Sequence, residues 1–205
     1  MLYRDLGVIG YLEALEMQER LAGEVLDGAE ETLLLLEHPA IYTTGAGGNL
    51  SNLLDPSITA LRVNRGGDVT YHGPGQLVCY PVLDLSRRGR DLHRYLRFLE
   101  EFLLQLVRPL QVTCFTIPGR TGVWTEQGKL ASIGVGVRRW VSMHGFSLNV
   151  CSDTSPFDLI NPCGMADCPI TSLSRERGGE FPMEEVKGLV RSRFWPLLEE
   201  RLPRS

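Results

Sequence analysis

The chain has 205 residues, of which 43% are hydrophobic and 22% charged, enough to bury one core without metal or disulfide support. Its formal charge of −4 excludes a generally basic nucleic-acid-binding protein. The longest aliphatic run, Leu33–Leu36, is far shorter than a membrane span. Five cysteines, without a signal-peptide pattern at the first residues, favour reduced thiols and a cytoplasmic location. We therefore expect one domain over residues 1–205, monomeric, that binds neither nucleic acid nor membranes.

The first half of the chain mixes one helical pattern with several strand patterns. Residues 9–27 predict a helix, because its apolar side chains recur at helical spacing until Asp27-Gly28. Short apolar runs predict strands at residues 32–36, 40–44, 60–64 and 77–85.

The second half begins with the clearest helix, residues 92–107, for which Asp91 is the expected N-cap and Pro109 the end. Residues 112–150 then alternate with a period of two, which predicts strands joined by a turn near residues 138–142. A last helix is expected from Pro182, with an interruption at Pro196. Helices packed on a mostly antiparallel or mixed sheet give an α+β fold.

One segment, Arg65–Gln76, is unusually rich in glycine and in polar groups. It reads R-G-G-D-V-T-Y-H-G-P-G-Q, and its four glycines let the backbone approach a ligand closely. A tight turn with a bulge between two strands explains its composition equally well. It does not match the phosphate-binding pattern G-x-x-x-x-G-K-[ST], which occurs nowhere in the chain, so an ATP-dependent reaction is not favoured.

A second segment, Asn161-Pro162-Cys163-Gly164, places a cysteine in a turn. An exposed thiol beside a cation is a good nucleophile. By contrast, the settings of Cys79, Cys114 and Cys151 are apolar and strand-like, so we expect those three to be buried. No metal site is expected, because the cysteine spacings lack the C-x₂₋₄-C pairs of structural zinc sites.

The cation beside Cys163 has three candidates. Lys129 is one of only two lysines and begins an apolar strand, so it either points to solvent or points inward as a general acid/base. His72 and His144 are the alternatives, and spacing alone does not choose among them. A basic cluster forms either a solvated helix face or a docking patch for an acidic protein; it comprises Arg87, Arg88, Arg90, Arg94 and Arg97.

Together, the Arg65–Gln76 string, Lys129 and the N-P-C-G sequence around Cys163 resemble the lipoyl(octanoyl) transferase family, also called lipoate-protein ligase B. The resemblance extends over about residues 1–200 and includes the strings L-E-H-P, G-F-S-L-N and T-S-L. It implies the α/β biotin/lipoate protein ligase-like fold, a large mixed sheet flanked by helices.

The resemblance also implies an activity that needs no cofactor and no metal. An octanoyl or lipoyl group would pass from acyl carrier protein to Cys163, and Lys129 would promote ionisation of that thiol. The acceptors would be lysines on the lipoyl domains of 2-oxoacid dehydrogenase complexes and on the glycine-cleavage carrier protein. The implied substrate-binding residues are Arg65, Gly66, Gly67, Asp68, Val69, Thr70, Tyr71, His72, Ser132, Ile133, Gly134, Gly145, Phe146 and Ser147.

Three other activities remain open from the residues alone. An ATP-dependent lipoate or biotin ligase would need no cysteine, a thioesterase would pass the acyl group to water, and a scaffold would bind acyl carrier protein without being acylated.

Overall fold

The computed structural model describes residues 1–204, so Ser205 of the expected 1–205 domain lies outside it. The strands are β1 (Leu2–Val8), β2 (Thr32–Glu37), β3 (Ile41–Thr44), β4 (Ala60–Arg62), β5 (Thr70–His72), β6 (Gln76–Val82), β7 (Phe115–Ile117), β8 (Arg120–Thr125), β9 (Gly128–Arg138) and β10 (Val141–Asn149). The helices are α1 (Tyr11–Leu26), α2 (Leu92–Val107), α3 (Leu173–Arg177) and α4 (Met183–Arg201).

A seven-stranded mixed sheet with the order β1-β2-β6-β10-β9-β8-β7 organises the molecule. Its β1 runs parallel to β2, and the other neighbours pair antiparallel. β1 was not predicted, because it lies at the sheet edge and its half-exposed residues show no clean alternation.

Helices cover both faces of this sheet. α1 packs Ala14 and Leu21 against one face, where Leu34 contributes to the core. On the other face, the aromatic rings of Phe102 in α2 and Phe194 in α4 lie 5.0 Å apart. The predicted helix over residues 92–107 has the expected bounds, and the Asp91 carboxylate accepts the Arg94 N–H at its start.

A small three-stranded sheet, β4-β3-β5, accompanies the large one. The glycine-rich segment contributes β5, whose side chains alternate between two sides. Val69 and Tyr71 pack in a small core with Phe157 and Ile160, whereas Thr70 lies on the side towards the large sheet. The segment therefore contains a strand of the small sheet, with one side packed in the small core and the other side towards the large sheet.

The longest helix, α4, continues through Pro196, so the predicted interruption was wrong. An internal proline removes one backbone hydrogen bond of the helix, and burial of Phe194 and Leu198 on either side offsets this loss. No helix within residues 1–204 is both long enough and apolar enough to cross a membrane.

All five cysteines are free, but they differ in burial. Cys79 is fully buried inside the large sheet, as predicted, and Cys114 is half-buried. The prediction was wrong for Cys151, which is exposed because β10 ends at Asn149 and the alternation stops there.

Candidate active site

The thiol of Cys163 is presented by a tight turn over Pro162–Gly164. Cys163 has a φ of 57°, which turns the backbone sharply at this residue. Its N–H donates to the Val69 carbonyl at 3.0 Å, and the Gly164 N–H donates to the Asn161 carbonyl at 3.0 Å. The turn is thereby fixed beside β5 with the thiol half-buried.

Lys129 points inward and contacts this thiol. Its side chain is 1% exposed, and its Nζ donates to the Cys163 Sγ at 3.0 Å. The Lys129 N–H donates to the Pro169 carbonyl at 2.7 Å, which fixes the residue next to the segment that follows the cysteine turn. Within residues 1–204 no carboxylate pairs with Lys129. The Cys163 thiol is therefore the group whose ionised form a charged Lys129 would stabilise.

Gly122, on the neighbouring strand β8, keeps the lysine in place and was not singled out from the sequence. A Cβ atom at Gly122 would lie 2.7 Å from the Lys129 Cε and 2.6 Å from the Ala131 carbonyl oxygen. The only sequence signal is a glycine within a strand, which often marks a close approach of two chain segments.

Replacing Gly122 by alanine is expected to slow acylation of Cys163 at least ~10-fold, because a displaced lysine no longer contacts the thiol. The matched control is Gly119→Ala, since Gly119 has a similarly positive φ of 79° but open space around its Cβ position. Both variants should lose stability in urea unfolding, and only Gly122→Ala should lose acylation rate. Equal rates in the two variants would contradict this role.

A narrow cavity beside Cys163 lies between the two sheets. Its enclosed part measures about 40 Å³, well below the usual size of a ligand pocket, so an acyl chain would need its walls to open or its mouth to accommodate part of the chain. The implied substrate-binding residues that line it are Arg65, Gly67, Asp68, Thr70, His72, Ser132, Ile133, Gly134, Gly145, Phe146 and Ser147. Four further lining residues, Tyr11, Val78, Tyr80 and His144, were not in the expected set.

Three residues of that set do not line the cavity. Val69 and Tyr71 occupy the opposite side of β5 and belong to the small core. Gly66 lies on the outside of the loop, where its N–H donates to the Val135 carbonyl at 2.8 Å. Val69 still serves the site through its backbone, because its carbonyl anchors the Cys163 turn.

Arg65 places a buried positive charge in the cavity wall. Its Nη2 donates to the backbone carbonyl and to the hydroxyl of Thr43, at 3.0 and 2.8 Å. No carboxylate pairs with it in the described part of the chain, and its buried Nε has no partner. An unneutralised guanidinium near the thiol stabilises negative charge that develops on a bound substrate.

Asp68 ties the loops around the cysteine turn together. Its carboxylate accepts the Asn52 side-chain N–H at 2.9 Å and the Asn49 backbone N–H at 3.0 Å. The Asn52 carbonyl in turn accepts the Asn161 N–H at 2.8 Å, directly before the turn. Asp68 is therefore a positioning residue as well as part of the cavity wall.

The two histidine candidates lie in the cavity wall, and neither forms a hydrogen bond with Cys163 in residues 1–204. Burial, together with the neighbouring His38, lowers the pKa of His72 to about 3. Burial, together with the Arg65 charge, lowers the pKa of His144 to about 4. Both imidazoles are therefore neutral near pH 7, and Lys129 is the basic side chain that contacts the thiol.

These histidines belong to a buried cluster of rings with Tyr11, His38 and Tyr80. The His38 Nδ1 contacts the Ile9 carbonyl at 2.8 Å, which can only accept, so Nδ1 carries the proton and Nε2 accepts from the Tyr80 hydroxyl at 2.8 Å. His72 donates from Nδ1 to the Gln76 amide oxygen at 2.6 Å. The ring cluster is thus an uncharged, hydrogen-bonded wall of the cavity.

A family model and curated relatives identify the family of this chain. Residues 10–195 match the lipoyl protein ligase A/B catalytic domain. Curated relatives named octanoyltransferase include one from Citrifermentans bemidjiense, 68% identical over 100% of both chains. One from Geobacter metallireducens is 59% identical over 99% of this chain and 96% of its own length. One from Thermosynechococcus vestitus is 45% identical over 89% of this chain and 83% of its own length.

Solved structures share the fold at low sequence identity. Lipoate-protein ligase A bound with ATP has a TM-score of 0.67 and 16% identity, covering 98% of this chain and 86% of that one. The biotin protein ligase from Aquifex aeolicus in complex with biotin and ATP has a TM-score of 0.61 and 14% identity. The match covers 99% of this chain and 72% of that one. The expected biotin/lipoate ligase-like fold is therefore confirmed, and the chain belongs to the lipoyl protein ligase A/B catalytic domain family.

Proposed function

We propose that this protein is an ATP-independent octanoyltransferase that forms an acyl-thioester on Cys163. The observation that carries the proposal is the 3.0 Å contact between the Lys129 Nζ and the Cys163 Sγ beside a narrow cavity. The octanoyltransferase names of full-length relatives support the same activity. The donor is octanoyl-acyl carrier protein, and the reaction is the first step of endogenous protein lipoylation in the cytoplasm.

In the first half-reaction the Cys163 thiolate attacks the carbonyl carbon of the donor thioester. A new carbon–sulfur bond to Cys163 forms, the bond to the carrier sulfur breaks, and the leaving thiolate takes a proton from the Lys129 ammonium. One thioester replaces another, so this step is close to isoenergetic. Arg65 and Gly67 line the cavity, where the Arg65 guanidinium would stabilise the negative charge that develops on the carbonyl oxygen.

In the second half-reaction the neutral amine of an acceptor lysine attacks the Cys163 thioester. Lys129, now an uncharged amine, takes the proton from the attacking nitrogen, and Cys163 leaves as a thiolate. An amide replaces a thioester, which makes the overall transfer downhill without ATP. The proposed acceptors are the lipoyl domains of 2-oxoacid dehydrogenase complexes and the glycine-cleavage carrier protein.

The Cys163→Ala variant tests the intermediate. After mixing with octanoyl-acyl carrier protein, intact-protein mass spectrometry should show one added octanoyl group on the wild type and none on the variant. Hydroxylamine should remove the group, because thioesters are labile to it. A Cys151→Ala variant is the matched control, since that thiol is exposed but has no lysine partner among the described residues, and it should be acylated normally.

Two other results would overturn the proposal. Octanoylation of an acceptor domain by Cys163→Ala at the wild-type rate would mean that no cysteine intermediate is needed, as in an ATP-dependent ligase. Release of free octanoate in the presence of the acceptor domain would indicate a thioesterase.

A further inference from the structure

An open groove, distinct from the acyl cavity, leads to Cys163 from the protein surface. It is wide open to solvent, and its lining includes Ala46 and Asn64. Leu92, at the start of α2, and Val137, near the end of β9, line it as well. Because both the groove and the cavity are lined by Cys163, a group that enters by the groove meets the thiol without displacing an acyl chain.

Exposed arginines in three chain segments lie next to residues that line this groove. Arg138 and Arg139 lie at the turn between β9 and β10, directly after Val137, and their side chains have no partner within residues 1–204. The same turn is joined to the segment before α2, since the Leu85 N–H donates to the Trp140 carbonyl at 2.8 Å. That segment carries the exposed Arg90 two residues before Leu92.

Arg62 lies next to Ala46, which lines the groove. Its guanidinium donates to the Ala46 carbonyl at 3.1 Å. Carboxylates lie in the same region: Asp68 lines the groove, Asp84 accepts the Ser86 N–H, and Asp91 accepts the Arg94 N–H. The exposed arginines outnumber these carboxylates, so in a chain of formal charge −4 this region is locally basic.

Of the basic cluster noted in the sequence, only Arg88 is buried: it is 3% exposed and forms an ion pair with Glu31. Arg97 is exposed and pairs with Glu100 on its own helix. Arg90 is exposed and lies two residues before Leu92, which lines the groove. The surface is therefore built by Arg62, Arg90, Arg138 and Arg139 together with the exposed apolar side chains of Leu92, Val137 and Trp140. An apolar centre with a charged border is the usual anatomy of a protein interface.

We propose that this surface, the arginine border, docks the acidic carrier domain that donates the acyl group, with its flexible prosthetic arm in the groove. The inference rests on the proposed transferase activity. We assign the donor because a carrier docked on exposed arginines outside the groove needs a long arm to bring its thioester to Cys163, which lines the groove. The positive charges of the arginines then attract a negatively charged carrier and raise its rate of association.

The test measures the second-order rate constant for acylation of Cys163 with two donors, octanoyl-acyl carrier protein and octanoyl-pantetheine. The variant is Arg138→Glu/Arg139→Glu, and the control of equal charge change is Arg20→Glu/Arg108→Glu. Arg20 lies exposed on α1, and Arg108 lies at the end of α2 remote from Leu92. We expect a decrease of at least ~10-fold for the border variant with the carrier protein and no change with octanoyl-pantetheine or in the control.

The outcomes separate the two proposals. If the wild type is acylated by neither donor, the proposed function fails. If the wild type is acylated but the border variant and the control behave alike with the carrier protein, the docking surface is wrong and the transferase stands. An equal decrease with octanoyl-pantetheine, or a decrease confined to transfer onto the acceptor domain, would also overturn the docking of the donor.

Discussion

Replacing Lys129 by methionine is expected to slow acylation of Cys163 by about 10²–10⁴-fold, the usual contribution of a positioned acid/base group. Methionine keeps an unbranched side chain of similar length but removes the amine that contacts the Cys163 thiol at 3.0 Å, to which we assign stabilisation of the thiolate. It also removes the proton donor for the leaving thiol. Rapid mixing with octanoyl-acyl carrier protein, followed by intact-protein mass spectrometry, measures the rate of acylation.

The other lysine provides the matched control. Lys187 is also buried, at 5% exposure, but it pairs with Asp5 on β1 and with Glu184 on α4 instead of contacting the thiol. Lys187→Met should lower stability, because it leaves Asp5 with one cation fewer, and should acylate at the wild-type rate. If Lys129→Met acylated as fast as Lys187→Met, a group other than Lys129 would activate the thiol.

Parts of the fold with regular periodicity were predictable from the sequence. In α2 the apolar side chains recur at helical spacing and Asp91 supplies a cap, so its bounds follow from local chemistry. The alternation in β9 and β10 likewise reflects one face on the core and a turn after Arg138. β1 has no such pattern, since its pairing with β2 is decided by tertiary contacts at the sheet edge.

The site shows what residue spacing cannot give. Lys129 and Cys163 are 34 residues apart, and their contact depends on the Lys129–Pro169 hydrogen bond that brings the two segments together. The resemblance placed a continuous string, Arg65–His72, in the substrate site, but a strand exposes alternate side chains on opposite sides. Val69 and Tyr71 therefore face the small core, and Gly122 acts from a strand that carries no motif.

The buried ring cluster makes the stability of the folded protein depend on pH above the range where carboxylates titrate. His72 and His144 have pKa values of about 3 and about 4 in the folded protein, because burial disfavours their charged forms. A free histidine has a pKa of about 6.5. Between pH 7 and pH 5 the unfolded chain therefore binds protons at both residues and the folded protein does not.

The free energy of unfolding should fall by about 2 kcal/mol per histidine from pH 7 to pH 5, or about 4 kcal/mol for the pair. His38, whose pKa is also lowered by burial, acts in the same direction. Asp5 and Glu31, whose pKa values are lowered in the folded protein, contribute mainly below this interval. Urea unfolding at pH 7, 6 and 5 measures the change.

Two variants assign that change to the cluster, because they differ in where the removed imidazole lies. In His72→Asn the fall between pH 7 and pH 5 should be about 2 kcal/mol smaller than in the wild type, whatever the variant's stability at pH 7. His93 lies exposed on α2, so His93→Asn should keep the wild-type fall. Two results would contradict this assignment: a decrease of less than about 1 kcal/mol in the wild-type free energy of unfolding between pH 7 and pH 5, or the same decrease in His72→Asn as in the wild type. Either would show that the buried histidines bind protons as readily in the folded protein as in the unfolded chain.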